Sequence, residues 1–181
     1  MLVFHPASGA RADRWLLASL RDYGDGPRTA SATRVLSRLG EHGGVWLAIG
    51  LMGACLDRPR RSTWVRASAS VGTAHAISMM VKPVVGRQRP ELPGRIPLVP
   101  TSGRNSFPSS HAASAAAAAV AFSVLLPGVP IAVAAVVMCV SRVIAGVHYP
   151  SDVAAGAALG VVAAGVGRGW VLRTEQSGSD G

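Results

Sequence analysis

The chain has 181 residues, of which 49% are hydrophobic and only 15% are charged. Soluble domains usually carry about 25% charged residues, so this composition, with its mean hydropathy of +0.34, favours a membrane protein. The net charge is +9, and nearly all of the cations are arginines. They do not form a stripe interleaved with aromatic residues, which disfavours a nucleic-acid partner. The two cysteines, Cys55 and Cys139, lie in separate apolar runs and indicate neither a disulfide framework nor a metal site.

The first 38 residues contain six arginines and no long apolar run, so they are not expected to cross a membrane. Trp15, Leu17 and Leu20 recur at helical spacing opposite Arg14. This pattern is typical of a helix in the headgroup plane, although a helix packed on a protein core gives the same pattern. We expect residues 1–38 to form an arginine-rich, amphipathic, interfacial segment.

Five apolar runs follow, and a membrane span needs about 20 such residues. The runs are Leu39–Leu56, Trp64–Val81, His111–Leu126, Val129–Val147 and Val153–Leu172. They predict an all-α fold, a multi-pass transmembrane helical bundle with about five spans, and a membrane-embedded domain over residues 39–172. His75, in the middle of the second run, is expected to be packed and hydrogen-bonded. The polar tail, residues 173–181, is expected to be disordered.

Glycines recur at four-residue spacing in the last run, as Gly156 with Gly160 and as Gly165 with Gly169. Small residues at this spacing let helix backbones approach closely, so we expect close helix packing here. Such Gly- and Ala-rich helices also offer a surface for a homo-oligomer.

If all five runs cross the membrane, three polar segments share one face: the N-terminus, the proline-rich loop 82–110 and the turn 148–152. An arginine inside a run as apolar as Val129–Val147 is costly in lipid, so Arg142 is expected to face a polar cavity. The candidate site residues on this face are Lys82, Arg89, Ser109, Ser110, His111, Arg142, His148 and Asp152.

Cations outnumber the carboxylate in this set, which points to an anionic substrate, and phosphate is the natural candidate. Arginine binds phosphate oxygens in pairs, and the helix start at Ser109–His111 offers backbone N–H groups to an anion. His148 with Asp152 is a base with an orienting carboxylate. Three further loop arginines are interpreted as solvated surface charges: Arg87, Arg95 and Arg104.

Three motifs carry a family resemblance. They are Lys82-Pro-Val-Val-Gly-Arg-Gln-Arg89-Pro90, Pro108-Ser109-Ser110-His111, and Ser141-Arg142 followed by His148 and Asp152. In order and spacing they resemble the signature of the type 2 phosphatidic acid phosphatase superfamily, which also contains vanadium haloperoxidases. The sequence departs from the pattern at Ser110, where the family has glycine. It also departs at the N-terminus, where the first of six usual spans looks replaced by the arginine-rich segment.

The resemblance implies a role for each residue. His148 is expected to attack phosphorus and form a phosphohistidine, while Asp152 holds its ring. His111 is expected to protonate the leaving oxygen and then activate water. The groups expected to bind the phosphate are Lys82, Arg89, Ser109, Ser110 and Arg142. No metal or other cofactor is implied.

The favoured function is hydrolysis of a lipid-linked phosphate by a multi-pass enzyme of the cell membrane. The expected substrate class is the polyprenyl or polyprenyl-sugar phosphates. Membrane lipid and the lipid-linked substrate are the expected partners, in cell-envelope or phospholipid synthesis. Two alternatives stay open: a vanadate-dependent haloperoxidase, and a membrane protein that binds phosphate without catalysis. The face of the active site is undecided, because the N-terminal arginines favour the cytoplasm and the basic turn at Arg58–Arg61 favours the opposite face.

Overall fold

A computed structural model describes residues 6–101 and 103–172, and this part of the chain folds into seven α-helices with no β-strand. The helices are α1 (Pro6–Asp22), α2 (Pro27–Leu39), α3 (Gly44–Leu56), α4 (Arg61–Val85), α5 (Ser110–Phe122), α6 (Gly128–Ile144) and α7 (Pro150–Val171). The all-α prediction is confirmed for these residues. The predicted tail, 173–181, lies outside them.

Helix α5 is the centre of the bundle and packs against α7, α4 and α6. Its alanines are almost completely buried, and their small side chains allow the neighbouring helices to approach closely. A Cβ on Gly156 would lie 2.3 Å from the carbonyl oxygen of Ser109, and a Cβ on Gly160 would lie 2.2 Å from that of Ala113. The predicted close packing is therefore confirmed for this glycine pair, whereas Gly165 has open space around it.

Length and composition identify fewer spans than the five predicted. Among the described residues, α7 is long and apolar enough to cross a membrane, and α2 with α3 adds a second candidate if this pair, bent by 52°, is one broken span. Helix α5 has 13 residues and α6 has 17, which correspond to about 20 Å and about 26 Å. A hydrocarbon core is about 30 Å thick, so the predicted span count is not confirmed.

Helix α1 packs on the bundle through one face. Leu17 is 1% exposed and lies in a cluster with Ala112, Val143 and Val153, whereas Trp15 is 68% exposed. The helix is therefore amphipathic, as its sequence predicts, with a packed face towards α5, α6 and α7.

Two polar connections meet at one end of the bundle. Helix α4 continues beyond the predicted span to Val85 and ends at Gly86, whose φ of +64° is the left-handed conformation that glycine tolerates. The loop that follows contacts the turn between α6 and α7, where Leu98 N–H donates to the carbonyl of Ala145. This contact brings the motif residues of the loop close to those of the turn.

Candidate active site

A cavity of about 360 Å³ opens at this end of the bundle. Six of the predicted site residues line it: Lys82, Arg89, Ser110, His111, Arg142 and His148. They come from α4, the following loop, α5, α6 and the turn before α7. The structure therefore gathers the three sequence motifs into one site. The other two predicted residues, Ser109 and Asp152, are fully buried next to it.

Arg142 lies in the last turn of α6 and is only 2% exposed. Its Nη1 donates to Ser37 Oγ at 3.0 Å and its Nε donates to Ser141 Oγ at 3.4 Å. The remaining nitrogen, Nη2, is buried and has no hydrogen-bond partner among the described residues. A buried charged donor without a partner is costly, so its place beside the cavity indicates an anionic ligand.

Lys82 and Arg89 are oriented by backbone carbonyls. Lys82 Nζ donates to the carbonyl of Pro108 at 2.8 Å, and Arg89 donates to the carbonyls of Gly103 at 2.7 Å and Val147 at 2.9 Å. These bonds orient the two cations without neutralising them, because their acceptors are uncharged. A phosphate in the cavity would therefore meet cations fixed in place.

His111, in the first turn of α5, has its Nε2 3.2 Å from the carbonyl oxygen of Ser37. A carbonyl only accepts hydrogen bonds, so this contact places a proton on Nε2. Ser37 of α2 therefore contacts both His111 and Arg142. The sequence analysis did not identify Ser37, since a serine among the arginines of the N-terminal segment carries no signal of its own.

His148 is 3% exposed, and its Nδ1 lies 3.7 Å from Asp152 Oδ2. This distance is too long for a hydrogen bond, and within the described residues Nδ1 has no other partner. Burial lowers the pKa of the His148 imidazole to about 4, and Arg89 and Lys82 act in the same direction. The ring is therefore neutral at physiological pH, and the orientation of Nδ1 towards Asp152 leaves Nε2 as the free nitrogen, which is compatible with the nucleophilic role that the family resemblance predicts.

Ser109 supports the start of α5. Its side chain accepts a hydrogen bond from Ala112 N–H at 3.5 Å, and its own N–H donates to the backbone carbonyl of Asp152 at 3.0 Å. The hydroxyl does not line the cavity. Ser109 therefore connects the start of α5 to the start of α7, and its direct contact with the phosphate stays a prediction.

Arg87 is not the solvated surface charge that its loop position suggested. Its Nη1 donates to Asp152 Oδ1 at 2.8 Å, its Nη2 donates to Asp13 Oδ2 at 2.8 Å, and its guanidinium lies 4.2 Å from the ring centroid of Tyr149. The interpretation was wrong because the acidic partners come from α7 and from α1, 74 residues earlier in the chain. The sequence analysis also did not identify Asp13, because it lies among arginines.

The other two loop arginines differ from each other. Arg95 pairs with Asp22 at 2.7 Å, whereas Arg104 is exposed and lines the cavity. His75 also lines the cavity, 6.0 Å from the ring of His42. Its Nδ1 is buried and has no hydrogen-bond partner among the described residues, so the structure shows no hydrogen bond of the kind that the sequence predicts at this nitrogen.

The cavity has an outer group of charges beyond the motif residues. Arg34 and Arg38 of α2 line it together with Arg104, and Glu41 is the one carboxylate among its described lining residues. With Lys82, Arg89 and Arg142, six cations line this cavity. In the described ranges, 6–101 and 103–172, no three His, Cys, Asp or Glu side chains lie close enough to hold a metal ion. Arginine and lysine are the residues that supply positive charge among the described lining residues.

The sequence is similar to those of characterised phosphatases. It is 44% identical over 137 residues to decaprenylphosphoryl-5-phosphoribose phosphatase of Mycobacterium tuberculosis, covering 75% of this chain and 77% of that protein. It is 40% identical over 131 residues to the enzyme of the same name from Mycolicibacterium smegmatis, covering 72% of each. It is also 37% identical over 92 residues to lipid A 1-phosphatase of Rhizobium johnstonii, covering 46% of this chain and 38% of that protein.

Two solved structures share the fold. A transmembrane PAP2-type phosphatidylglycerolphosphate phosphatase from Bacillus subtilis superposes with a TM-score of 0.75 at 22% identity, covering 97% of this chain and 92% of that one. LpxE from Aquifex aeolicus superposes with a TM-score of 0.73 at 21% identity, covering 85% of this chain and 93% of that one. The observed bundle is therefore the fold of membrane phosphatases.

The model of the PAP2 superfamily matches residues 63–175, which include all three motifs and every predicted site residue. The matched region supplies all of the motif residues that line the cavity. On this match and the similarity to the phosphatases above, the chain belongs to the PAP2 superfamily and is a phosphatase of that family.

Proposed function

We propose that this chain is an integral membrane phosphatase that removes the terminal phosphate of a polyprenyl-linked sugar phosphate through a phosphohistidine intermediate. The observation that carries the proposal is the buried guanidinium of Arg142. It lines the cavity together with His111 and His148, and its Nη2 has no hydrogen-bond partner among the described residues. An anion that meets this donor is held within the same cavity as His148 and His111.

In the first step, His148 Nε2 attacks phosphorus while the ester P–O bond breaks. The nitrogen supplies the electron pair of the new N–P bond, and the pair of the broken bond leaves with the oxygen. His111 enters this step as the imidazolium, a form that the anionic phosphate favours, and donates its second proton to that oxygen, so the ring becomes neutral and the product leaves as a neutral hydroxyl. Asp152, 3.7 Å from Nδ1, stabilises the positive charge that forms on the imidazole.

In the second step, His111 accepts a proton from water, and the water oxygen attacks the phosphohistidine. The N–P bond breaks, its electron pair returns to His148, and inorganic phosphate leaves. In both steps Lys82, Arg89 and Arg142 stabilise the charge on the phosphate oxygens, because their side chains are fixed before the substrate binds.

The outer cations support a substrate with a second anionic group. Lys82, Arg89 and Arg142, the inner cations, are assigned to the phosphate that is cleaved. Arg34, Arg38 and Arg104, the outer cations, line the same cavity, and Glu41 is the carboxylate among its described lining residues. The mycobacterial relatives are named for a substrate with a phosphoryl link to the lipid and a 5-phosphate on ribose. We infer that the inner cations hold the phosphate that is cleaved and that the outer cations hold the phosphoryl link.

Membrane integration accounts for the exposed apolar side chains of the bundle. Large residues on α3, α6 and α7 are more than half exposed, among them Leu51 at 68%, Val136 at 61% and Val166 at 84%. Lipid tails would cover these side chains and keep the polyprenyl chain beside the cavity. The protein then lies in the cell membrane and crosses it several times, and the phosphate is cleaved at the membrane surface.

The test compares two lipid phosphates in detergent or in vesicles. We expect inorganic phosphate to be released faster from a polyprenylphosphoryl-pentose 5-phosphate than from phosphatidic acid, and His148→Ala to abolish release from both. Arg34→Gln with Arg38→Gln should raise KM for the pentose phosphate and leave KM for phosphatidic acid unchanged. Full activity of His148→Ala would refute the nucleophile, and equal KM changes for both substrates would refute the outer phosphate site.

A further inference from the structure

Both oxygens of the Asp152 carboxylate are engaged by groups other than His148. Oδ1 accepts a hydrogen bond from Arg87 at 2.8 Å, and Oδ2 accepts one from the backbone N–H of Tyr149 at 2.8 Å. Asp152 is 0% exposed, so bulk solvent does not reach it. The position of this carboxylate relative to the imidazole is therefore set by Arg87 and by the start of α7.

Arg87 itself makes three further contacts. Its Nη2 donates to Asp13 on α1, and its guanidinium stacks over the ring of Tyr149 at 4.2 Å. Its Nη1 also donates to Ser151 Oγ at 2.7 Å. One planar guanidinium thus bridges two carboxylates from different helices, a geometry that arginine provides and lysine does not.

Asp13 joins the same group through Ser151. Its Oδ1 accepts a hydrogen bond from Ser151 N–H at 2.9 Å, and its Oδ2 also accepts one from the hydroxyl of Ser151. A carboxylate at this backbone N–H group caps the start of α7 and is favoured by the helix dipole. The pKa of Asp13 is lowered, because hydrogen bonds from Arg87 and Ser151 outweigh the opposing effect of burial.

We propose that Arg87 is a positioning residue that, with Asp13 of α1, holds the Asp152 carboxylate in line with His148. The proposal rests on the assignment of His148 as the nucleophile. Arg87 is absent from the described residues that line the cavity, so it acts through Asp152 and does not touch the substrate. Helix α1, which lies outside the matched family region, then helps to position the Asp152 carboxylate.

A second arginine of the same loop provides a matched control. Arg95 also pairs with acidic residues in the N-terminal part of the chain, Asp22 at 2.7 Å and Asp25 at 3.6 Å, and neither carboxylate contacts the site. If Arg87 merely fastened the loop to the N-terminal segment, loss of either arginine would have the same effect on turnover.

The experiment measures kcat, KM and the pH profile of kcat/KM for Arg87→Gln, Arg87→Lys, Asp13→Asn and Arg95→Gln. We expect Arg87→Gln to lower kcat about 100-fold with KM unchanged, since a small misplacement of a catalytic group costs about that much. Arg87→Lys should recover part of the loss. Asp13→Asn should lower kcat less, and adding it to Arg87→Gln should lower kcat little further, because the two residues act as one unit. Arg95→Gln should keep wild-type kcat.

The pH profile separates positioning from stability. The charged groups around His148 are Asp152 on α7, Lys82 on α4 and Arg89 on the loop, and the titratable His111 lies on α5. Loss of Arg87 frees Asp152 to pair with the imidazolium, so the acidic limb of kcat/KM should move to higher pH in Arg87→Gln and stay in place in Arg95→Gln. A wild-type kcat in both Arg87 variants, or equal losses in Arg87→Gln and Arg95→Gln, would overturn the proposal. If His148→Ala is inactive in the same assay, that result leaves the proposed function intact.

Discussion

The contact between α5 and α7 leaves no room for a side chain at Gly156, and this contact lies directly next to the active site. In Gly156→Ala the new Cβ would lie 2.3 Å from the carbonyl oxygen of Ser109, whereas real Cβ contacts are essentially never shorter than 3.0 Å. The neighbour is backbone and cannot rotate away. The two helix starts must therefore separate by about 0.7 Å or more, and the same two helices carry His111 and Asp152.

The expected consequence follows from two magnitudes. Overpacking costs about 1–3 kcal/mol of stability, which outweighs the gain of up to about 1 kcal/mol from replacing glycine in a helix. A shift near 1 Å of a catalytic group costs about 100-fold in rate. We therefore expect Gly156→Ala to lower both the melting temperature and kcat, the latter by roughly 100-fold.

Two other glycines of α7 serve as controls in the same assays, phosphate release and thermal unfolding in detergent. Gly165→Ala has nothing within 4 Å of its new Cβ, so it should keep kcat and raise the melting temperature. Gly160→Ala meets the backbone of Ala113, one turn further from the site, so it should lose stability but less kcat than Gly156→Ala. A Gly156→Ala enzyme with wild-type kcat and melting temperature would refute the packing argument.

Three further predictions concern the site and the membrane. Because burial lowers the pKa of His148 to about 4, the imidazole stays neutral as pH falls through 6.5. After correction for the substrate's own ionisation near pH 6, kcat/KM should therefore decline only near pH 4. A half-maximal kcat/KM near pH 6.5 would contradict this prediction. Arg142→Lys should lower kcat roughly 100-fold, since it removes the donor proposed to face the phosphate, and Ser37→Ala should lower kcat by a smaller factor. A larger loss of kcat in Ser37→Ala would show that the contact between Ser37 and Arg142 matters more than the phosphate contact. In a variant without Cys55 and Cys139, an impermeant maleimide should label Glu91→Cys and Arg58→Cys from opposite sides of the membrane, and labelling of both from one side would refute the proposed crossing.

The motif residues were predictable because their chemistry and spacing are local in the sequence. Arg142 is marked by its place in an apolar run, and the structure does place it beside the cavity, buried at 2% exposure. His148 and Asp152 are marked by a four-residue spacing across a helix start. The relative position of Lys82 and Arg89 was not predictable from their spacing, because the helix ends at Val85 and the backbone between them turns at Gly86.

The supporting residues were not predictable, because each works through a contact that is distant in sequence. Ser37 reaches Arg142 across 105 positions, and Asp13 reaches Arg87 across 74. A loop arginine next to a glycine looks the same whether it is solvated or bridges two carboxylates. Asp13 offered one faint signal, as an isolated acid within an arginine-rich segment.

The helical fold was predicted from apolar runs, but the number of spans was not confirmed. Periodicity marks where helices lie, whereas span length depends on where they end. Helix α5 has only 13 residues because its start is fixed by the Ser109 cap and it ends at Phe122, before Pro127 and Gly128. An alanine-rich helix of this length is stable here because it is surrounded by other helices, a condition that the run itself does not reveal.

The central claim is that His148 forms a covalent bond to phosphorus during turnover. The most direct measurement quenches the enzyme within one turnover of a substrate carrying a ³²P-labelled terminal phosphate and maps the label by peptide mass spectrometry. The account predicts a label that is stable to alkali, labile to acid and located on His148. Turnover at the wild-type rate with no label on the protein, or with the label on any other residue, would contradict it.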